Sequence, residues 1–281
     1  MTKQFNRHIE VRIIGKNDTL LINEELDIEF TCRKDRSTTP NEASVRIKNL
    51  GETSRNFIKA NSRVEVLTGY QDERTLVMRM DVSRRATTWE PPDSVTRIEG
   101  LDGLIALKDR EIKVSLAPKQ TVKRGIDIIA KQAGLKIRLV GLGLNIPLLS
   151  GYTHSGKLTG ALDDLTSIAK ATWGIVDNEL IIVKRGEGIG TPQFIISPEN
   201  GLLAQPEVLD EVATTERVVK KNIQPKGYQI TMLMRPNLNP FDKIEIQSRF
   251  VSGVFVVDEV EHQGSTRGGE YITRATVYES K

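Results

Sequence analysis

The feature that most constrains this chain is where its apolar residues alternate with period two and where that pattern stops. In the first hundred residues, Ile9-Glu-Val-Arg-Ile-Ile14, Leu26-Asp-Ile-Glu-Phe30, Ala43-Ser-Val-Arg-Ile-Lys-Asn-Leu50 and Arg63-Val-Glu-Val-Leu67 put apolar side chains on one face of successive strands. Turn chemistry separates them at Lys16-Asn-Asp18, Thr39-Pro-Asn41, Gly69 and Glu90-Pro-Pro-Asp93. Residues 53–60 read as one short helix with Phe57 and Ile58 inward. Short strands at such spacing predict a barrel or sandwich in preference to a parallel sheet.

The period changes after Leu107. Thr121 is placed to cap a helix carrying Val122, Ile126, Ile129, Ala130 and Ala133 on one face, and Gly134 stands where a left-handed C-terminal cap is wanted. Leu135 to Val140 follows as a strand. A second helix is predicted from about Leu158 to Thr172, with Gly174 ending it. Trp173 to Val183 then reads as a hairpin turning at Asp177-Asn178. Arg185 to Pro192 has linker composition, and strands resume at 194–196, 216–220, 228–232, 243–246, 254–257 and 271–278.

An internal echo joins the two ends of the chain. Arg63-Val-Glu-Val66, Met78-Arg-Met-Asp-Val82 and Thr96-Arg-Ile-Glu99 run in the same order as Lys243-Ile-Glu-Ile246, Val256-Val-Asp-Glu-Val260 and Thr273-Arg-Ala-Thr276. This predicts one barrel present twice with a different unit inserted between the copies.

Charge and cysteine content narrow the function classes. Lys plus Arg total 40 against 37 for Asp plus Glu, so the chain lacks the cationic excess of a dedicated nucleic-acid binder. Charge is nonetheless uneven: residues 108–138 carry nine Lys/Arg and three Asp/Glu, and 179–216 carry seven Asp/Glu and two Lys/Arg. Those stretches read as solvated faces or as complementary surfaces in an assembly. Cys32 alone allows no intrachain disulfide, and His8, His154 and His262 form no pair at metal-ligand spacing. No signal peptide or membrane helix is read from the sequence, so a soluble chain made in a reducing cytoplasm is expected.

Four motifs carry possible chemistry. Gly151-Tyr-Thr-His-Ser-Gly156-Lys157 fits most of a phosphate loop, but Leu158 stands where the magnesium-binding hydroxyl belongs. Gly141-Leu-Gly143 and Gly186-Glu-Gly-Ile-Gly190 read as loops. Asp163-Asp164 read as acids opening a helix at the positive end of its dipole. Cys32 reads as a small buried side chain, and His262 as a surface or interface residue beside a hairpin tip.

The opening Phe5-Asn-Arg-His-Ile-Glu-Val-Arg-Ile13 with Pro40 to Leu50 and Leu67-Thr-Gly-Tyr70, the middle Leu162-Asp-Asp-Leu165 through Ile182, and the end from Gly201-Leu-Leu through Pro240-Phe-Asp-Lys-Ile244 to Gly269 together resemble one family. It is that of the baseplate hub proteins of contractile-tailed bacteriophages, the late control or protein D-like proteins. The resemblance implies a mainly β fold with an inserted α/β unit: tail-tube-like β-barrels at 1–107 and 191–281 flanking a helix-strand-helix-hairpin domain at 108–190, with part of 191–225 packing back on the first barrel.

It also implies a structural virion protein and no enzyme: a homotrimer whose six barrels join a hexameric tail-tube protein to a central spike protein and line the DNA channel. Tape measure and other baseplate proteins are further implied partners, with assembly in the host bacterial cytoplasm, transient DNA passage and no membrane insertion. No catalytic, cofactor or metal residue is expected, and no interface residue is singled out. The alternatives are a nucleotide-binding enzyme using Gly151 to Lys157, and a nucleic-acid-binding β-barrel protein using the basic region 108–138.

Overall fold

The computed structural model describes residues 6–36, 40–102, 111–140, 144–177, 179–209 and 227–280. The first third forms β1 (Arg7–Ile14), β2 (Thr19–Ile22), β3 (Ile28–Asp35), β4 (Glu42–Lys48), α1 (Glu52–Phe57), β5 (Arg63–Tyr70), β6 (Thr75–Glu90) and β7 (Asp93–Leu101). They pair in the order β3-β4-β7-β6-β5-β1-β2. The period-two residues Ile9, Val11, Ile13, Ile28, Phe30, Val45, Ile47, Val64 and Val66 all enter one buried cluster, so this sheet curls around its own apolar face. Gly69 is a correction: it lies within β5, not in a turn. A Cβ there would sit 2.2 Å from the Glu73 carbonyl oxygen, which only a glycine permits.

The middle third forms β8 (Glu111–Leu116), α2 (Val122–Ala133), β9 (Lys136–Val140), β10 (Tyr152–Lys157), α3 (Leu158–Ile168), β11 (Ala171–Val176) and β12 (Glu179–Lys184). Helix α2 runs between the expected caps: the Thr121 hydroxyl accepts from Arg124 N–H, and Gly134 is left-handed at φ 68°. Helix α3 stops at Ile168, earlier than its apolar spacing suggests, because Ala171 to Val176 pairs residue for residue with β12. Gly174 therefore lies inside a strand and ends nothing. Strand β9 lies parallel to β12, β8 pairs β10, and both helices bury their apolar stripes in a second cluster around Leu162, Leu165 and Trp173.

The last third forms β13 (Ile189–Ile196), a 3₁₀ turn at Pro198–Asn200, β14 (Glu207–Leu209), β15 (Gly227–Leu233), β16 (Asp242–Gln247), β17 (Ser252–Ser265) and β18 (Ile272–Glu279). The expected linker 185–192 is partly strand, since β13 begins at Ile189. The strand read at 216–220 lies outside the described residues, as do Thr39 and Gly141 to Gly143. A third cluster fills this unit. Strand β17 ties the halves together: its beginning pairs β16, and its second half, Glu259 to Ser265, pairs β3. One 13-stranded sheet results, ordered β14-β15-β18-β17-β3-β4-β7-β6-β5-β1-β2, with β16 and β13 branching from β17.

Two of the three echoing segments coincide in matching ladders: Arg63 opposite Asp81 corresponds to Lys243 opposite Val256, and the Thr96 and Thr273 segments correspond, whereas Met78 to Val82 falls on Gly253 to Val257 and not on Val256 to Val260. The β6–β7 pairing has a bulge between Val82 and Arg84, after which Arg84 opposes Glu99 and Thr87 opposes Thr96. The β17–β18 pairing has a bulge between Val257 and Glu259, after which Glu259 opposes Thr276 and His262 opposes Thr273. Counted from the bulges, Thr96-Arg-Ile-Glu99 superposes on Thr273-Arg-Ala-Thr276. Each threonine is fully buried and bonds straight across the ladder, Thr96 to the Thr87 hydroxyl at 3.1 Å and Thr273 to His262 Nδ1 at 3.0 Å.

Candidate functional site

The phosphate-loop resemblance does not survive folding. Tyr152 to Lys157 is strand β10, paired antiparallel with β8, so its amides face a strand and form no cradle at the start of α3. Asp163 and Asp164 lie within α3 and do not open it. Asp163 accepts the Trp173 indole N–H at 2.8 Å, and Asp164 accepts the Tyr152 hydroxyl at 3.1 Å. Both are structural acceptors holding the helix to its neighbours. The basic stretch is distributed over β8, α2 and β9, where Lys113, Lys123, Arg124, Lys131 and Lys136 are exposed and Lys123 pairs with Asp127 at 2.8 Å.

His262 is a correction of a different kind. It is fully buried in the middle of β17, not at a surface. Its Nε2 donates to the Leu238 carbonyl at 3.2 Å, which leaves Nδ1 to accept from Thr273. Burial, reinforced by nearby Lys34, holds its pKa down to about 3, so it stays neutral. Cys32, directly opposite it on β3, is buried as read, and burial pushes its thiol up to about 12, which removes nucleophilic use.

These residues border a buried polar joint where the three clusters meet. Lys34 occupies an inward position of β3, two residues beyond Cys32, and its side chain is wholly buried. Its ammonium donates to Asp177 Oδ2 at 3.0 Å and to Asn239 Oδ1 at 2.8 Å. Asp177 sits in left-handed backbone (φ 52°) directly after β11; its other oxygen accepts from Arg79 N–H at 3.2 Å, and its own N–H donates to Asp102 Oδ2 at 2.6 Å. The Asn41 amide donates to the Ile175 carbonyl at 2.8 Å. Asn239 N–H donates to Asp242, whose carboxyl burial raises to about 6. The tip of the inserted hairpin is thus plugged into both β units. Beside it Val176, Ile181, Val183, Ile189 and Phe241 form a small apolar seam, with the Arg36 guanidinium over the Phe241 ring at 4.7 Å.

The other extended feature is the outward face of the shared sheet. Depressions of about 570, 440 and 230 Å³ run along β17, β3, β4, β7 and β6, lined mostly by polar and charged side chains, with Phe30, Ala43, Leu101, Ala86 and Val95 among them. Several of its cations are paired with carboxylates: Arg33 with Glu259 at 2.7 Å, Arg46 with Glu29 at 3.1 Å and Glu90 at 3.2 Å, Lys48 with Asp27 at 2.7 Å, and Arg274 with Glu261 at 3.5 Å. Such a wall is polar and hydrated without a net cationic grip on phosphate. Among the described residues no group of three or more His, Cys, Asp and Glu is placed to hold a metal ion, and no helix is long and apolar enough to cross a membrane.

Sequence reasoning missed the joint. The one available signal was parity: Lys34 falls on the buried side of the Ile28, Phe30, Cys32 series, where a lysine requires a partner.

No family model and no curated protein matches the chain. Solved structures do. A 43 kDa tail protein of prophage MuSo2 from Shewanella oneidensis superposes with a TM-score of 0.70 at 10% identity, covering 98% of this chain and 97% of that one. A tail protein from Neisseria meningitidis MC58 gives 0.67 at 10% identity over 98% and 97%. The E. coli c3393 protein, a type VI secretion component described as structurally similar to the T4 tail proteins gp27 and gp5, gives 0.60 at 10% identity over 96% and 77%. The chain therefore has the β-rich fold of bacteriophage tail proteins, shared with a secretion-system component, over almost its whole length.

Proposed function

We propose that this chain is a structural virion protein without enzymatic activity, the baseplate hub of a contractile tail. Three copies form a ring that joins a hexameric tail tube to a central spike. The observation that carries the reading is the repeated ladder: β5-β6-β7 and β16-β17-β18 share order, bulge position and the buried threonine, so one chain supplies two like units. Two like units per chain turn threefold into apparent sixfold symmetry, which is what a joint between a hexamer and a trimer needs. The likeness to tail proteins over 98% of the chain supports the same reading. The charge-matched sheet face suits the channel side, because DNA passing it meets hydrated polar groups with no excess of cations.

Residues 1–107 and 191–281 are the proposed tube-like units and 108–190 the insert, with tail-tube, spike, tape-measure and other baseplate proteins as partners. The test is the solution mass of the full chain by light scattering, alone and mixed with the tube and spike proteins of the same phage. About three times 31.4 kDa is expected. A chain that stays monomeric with both partners present overturns the hub.

A further inference from the structure

The two three-strand ladders differ at the outer edge of their middle strand. Beyond its bulge, the outer edge of β17 is occupied: Glu261 opposes Arg33, His262 opposes Cys32 and Gln263 opposes Thr31 of β3. Beyond the matching bulge, the outer edge of β6 is bare. Pairing with β5 ends at Asp81, Val82 exchanges backbone bonds with Ser62 and Asn61, and among the described residues no strand other than β7 pairs β6 from Ser83 to Glu90. The difference shows in burial: His262 is fully buried, whereas Thr87, its counterpart, is exposed. Trp89, further along that edge, is 69% exposed.

The counterpart of β3 is identifiable by register. Setting Thr96 on Thr273 sets Ile47 on Met232, their partners on β4 and β15. On the far side of β4, Glu42, Ala43 and Ser44 face Arg33, Cys32 and Thr31. On the far side of β15, Gly227, Tyr228 and Gln229 face Leu209, Val208 and Glu207 of β14. So β14 is to the last unit what β3 is to the first. Its other edge is bare among the described residues, and Val208 and Leu209 are 49% and 38% exposed. Among the described residues, one chain thus carries one unused acceptor edge and one unused donor strand of a junction it already makes internally.

We infer that β14 of a second copy adds to the free edge of β6, repeating between chains the β17–β3 junction within the chain, with Leu209 across from Ala86, Val208 from Thr87 and Glu207 from Thr88. The faces agree. Thr87 and Val208 fall on the side of His262 and Cys32, while Ala86, Thr88, Glu207 and Leu209 fall on the polar side. Edge addition gives both strands their missing backbone partners and covers an otherwise aggregation-prone edge. It is a head-to-tail contact, so it closes only as a ring. The inference rests on the hub reading for the number of copies, though not for the pairing itself.

The experiment is disulfide trapping in the full chain carrying Thr87→Cys with Val208→Cys, oxidised under mild conditions and resolved on a non-reducing gel. Directly opposed strand residues have Cβ atoms about 4.5–5.5 Å apart, within reach of a disulfide after slight adjustment. Covalent multimers ending at the trimer are expected, because a closed ring has no free edge. The register control Ala86→Cys with Val208→Cys puts the thiols on opposite faces and is expected to trap at least tenfold less. A chain that is trimeric by mass yet traps no better than the control keeps the hub and overturns this pairing. An open-ended ladder beyond the trimer keeps the pairing and overturns the trimeric hub.

Discussion

Asp177→Asn isolates the electrostatic part of the buried joint. Asparagine, like aspartate, is among the non-glycine residues that enter the left-handed region held at this position, so the substitution adds no backbone strain. Its Oδ1 can still accept from Arg79 N–H, but an amide NH₂ replaces the oxygen 3.0 Å from the Lys34 ammonium, so a donor faces a donor. Breaking a buried ion pair from one side costs about 3–5 kcal/mol. Asp177 is 22% exposed and Lys34 keeps Asn239, which places the expected loss near the lower bound, about 3 kcal/mol. Lys34→Met removes the charge that needs a partner while Asp177 keeps a backbone donor and some water, so about 1 kcal/mol is expected. The double variant should then lie close to Lys34→Met, a coupling of about 3 kcal/mol. Urea unfolding read by the fluorescence of buried Trp173 and by circular dichroism measures this; with an m-value of about 3 kcal/mol per M, Asp177→Asn lowers the midpoint by about 1 M. A drop under about 0.3 M, or losses that simply add in the double variant, refutes the claim that this pair holds the joint.

Two further outcomes are expected from the same region. Asp242 has a carboxyl raised to about 6, so its ionised form opposes folding: that cost is fully present above pH 6 and fades as pH falls toward its unfolded value near 4. Asp242→Asn should therefore stabilise by about 1–3 kcal/mol at pH 7 and by nothing at pH 4, read as urea midpoints across a pH series; equal midpoints at pH 7 would refute it. His262 works in the opposite sense, since its stabilising contribution is complete above about pH 6.5 and lost as pH falls toward 3, so the variant without Asp242 should be the more acid-sensitive of the two proteins. At the seam between the β units, a Cβ on Gly264 would lie 2.5 Å from the Phe30 ring, so Gly264→Ala should cost about 1–3 kcal/mol in thermal or urea unfolding. Gly51→Ala, with nothing within 4 Å, should change stability by under about 0.5 kcal/mol; equal effects would remove the packing explanation.

What could be read in advance depended on whether the cause was local. Helix α2 was legible because a capping threonine, an apolar stripe and a terminal glycine all lie within 14 residues and agree. The hairpin of β11 and β12 was legible for the same reason. Strand β10 was not: a run with two glycines and a terminal lysine is a loop or a strand according to whether β8 lies beside it, and β8 is about 40 residues earlier. Two of the echo's three short matches were legible, while the middle one was read three residues out of register because the common bulge is a property of pairing and not of composition. The joint was the least visible part. Lys34, Asp177 and Asn239 are separated by 143 and 205 positions from the lysine, and each is an ordinary polar residue in its own segment.

The shared strand settles which parts of this chain can move against which. Seven residue pairs run between β17 and β3, and their ladder continues without interruption into β4 on one side and β18 on the other. Rotating one β unit against the other means breaking that ladder, at roughly 0.5–1.5 kcal/mol for each hydrogen bond, together with Tyr271, whose hydroxyl bonds Thr68 at 2.6 Å and Gly69 at 2.5 Å in the opposite unit. The inserted unit is held differently. Among the described residues, its hairpin meets the rest of the chain through one ion pair, a few hydrogen bonds and the five-residue apolar seam. Its own two sheets pair with neither β unit. The two like units are therefore set at a fixed angle by backbone, as the proposed ring would require, and adjustment falls to the insert. In the proposed hub, that division keeps the two like units in a fixed setting for the tube and leaves the insert to seat other partners.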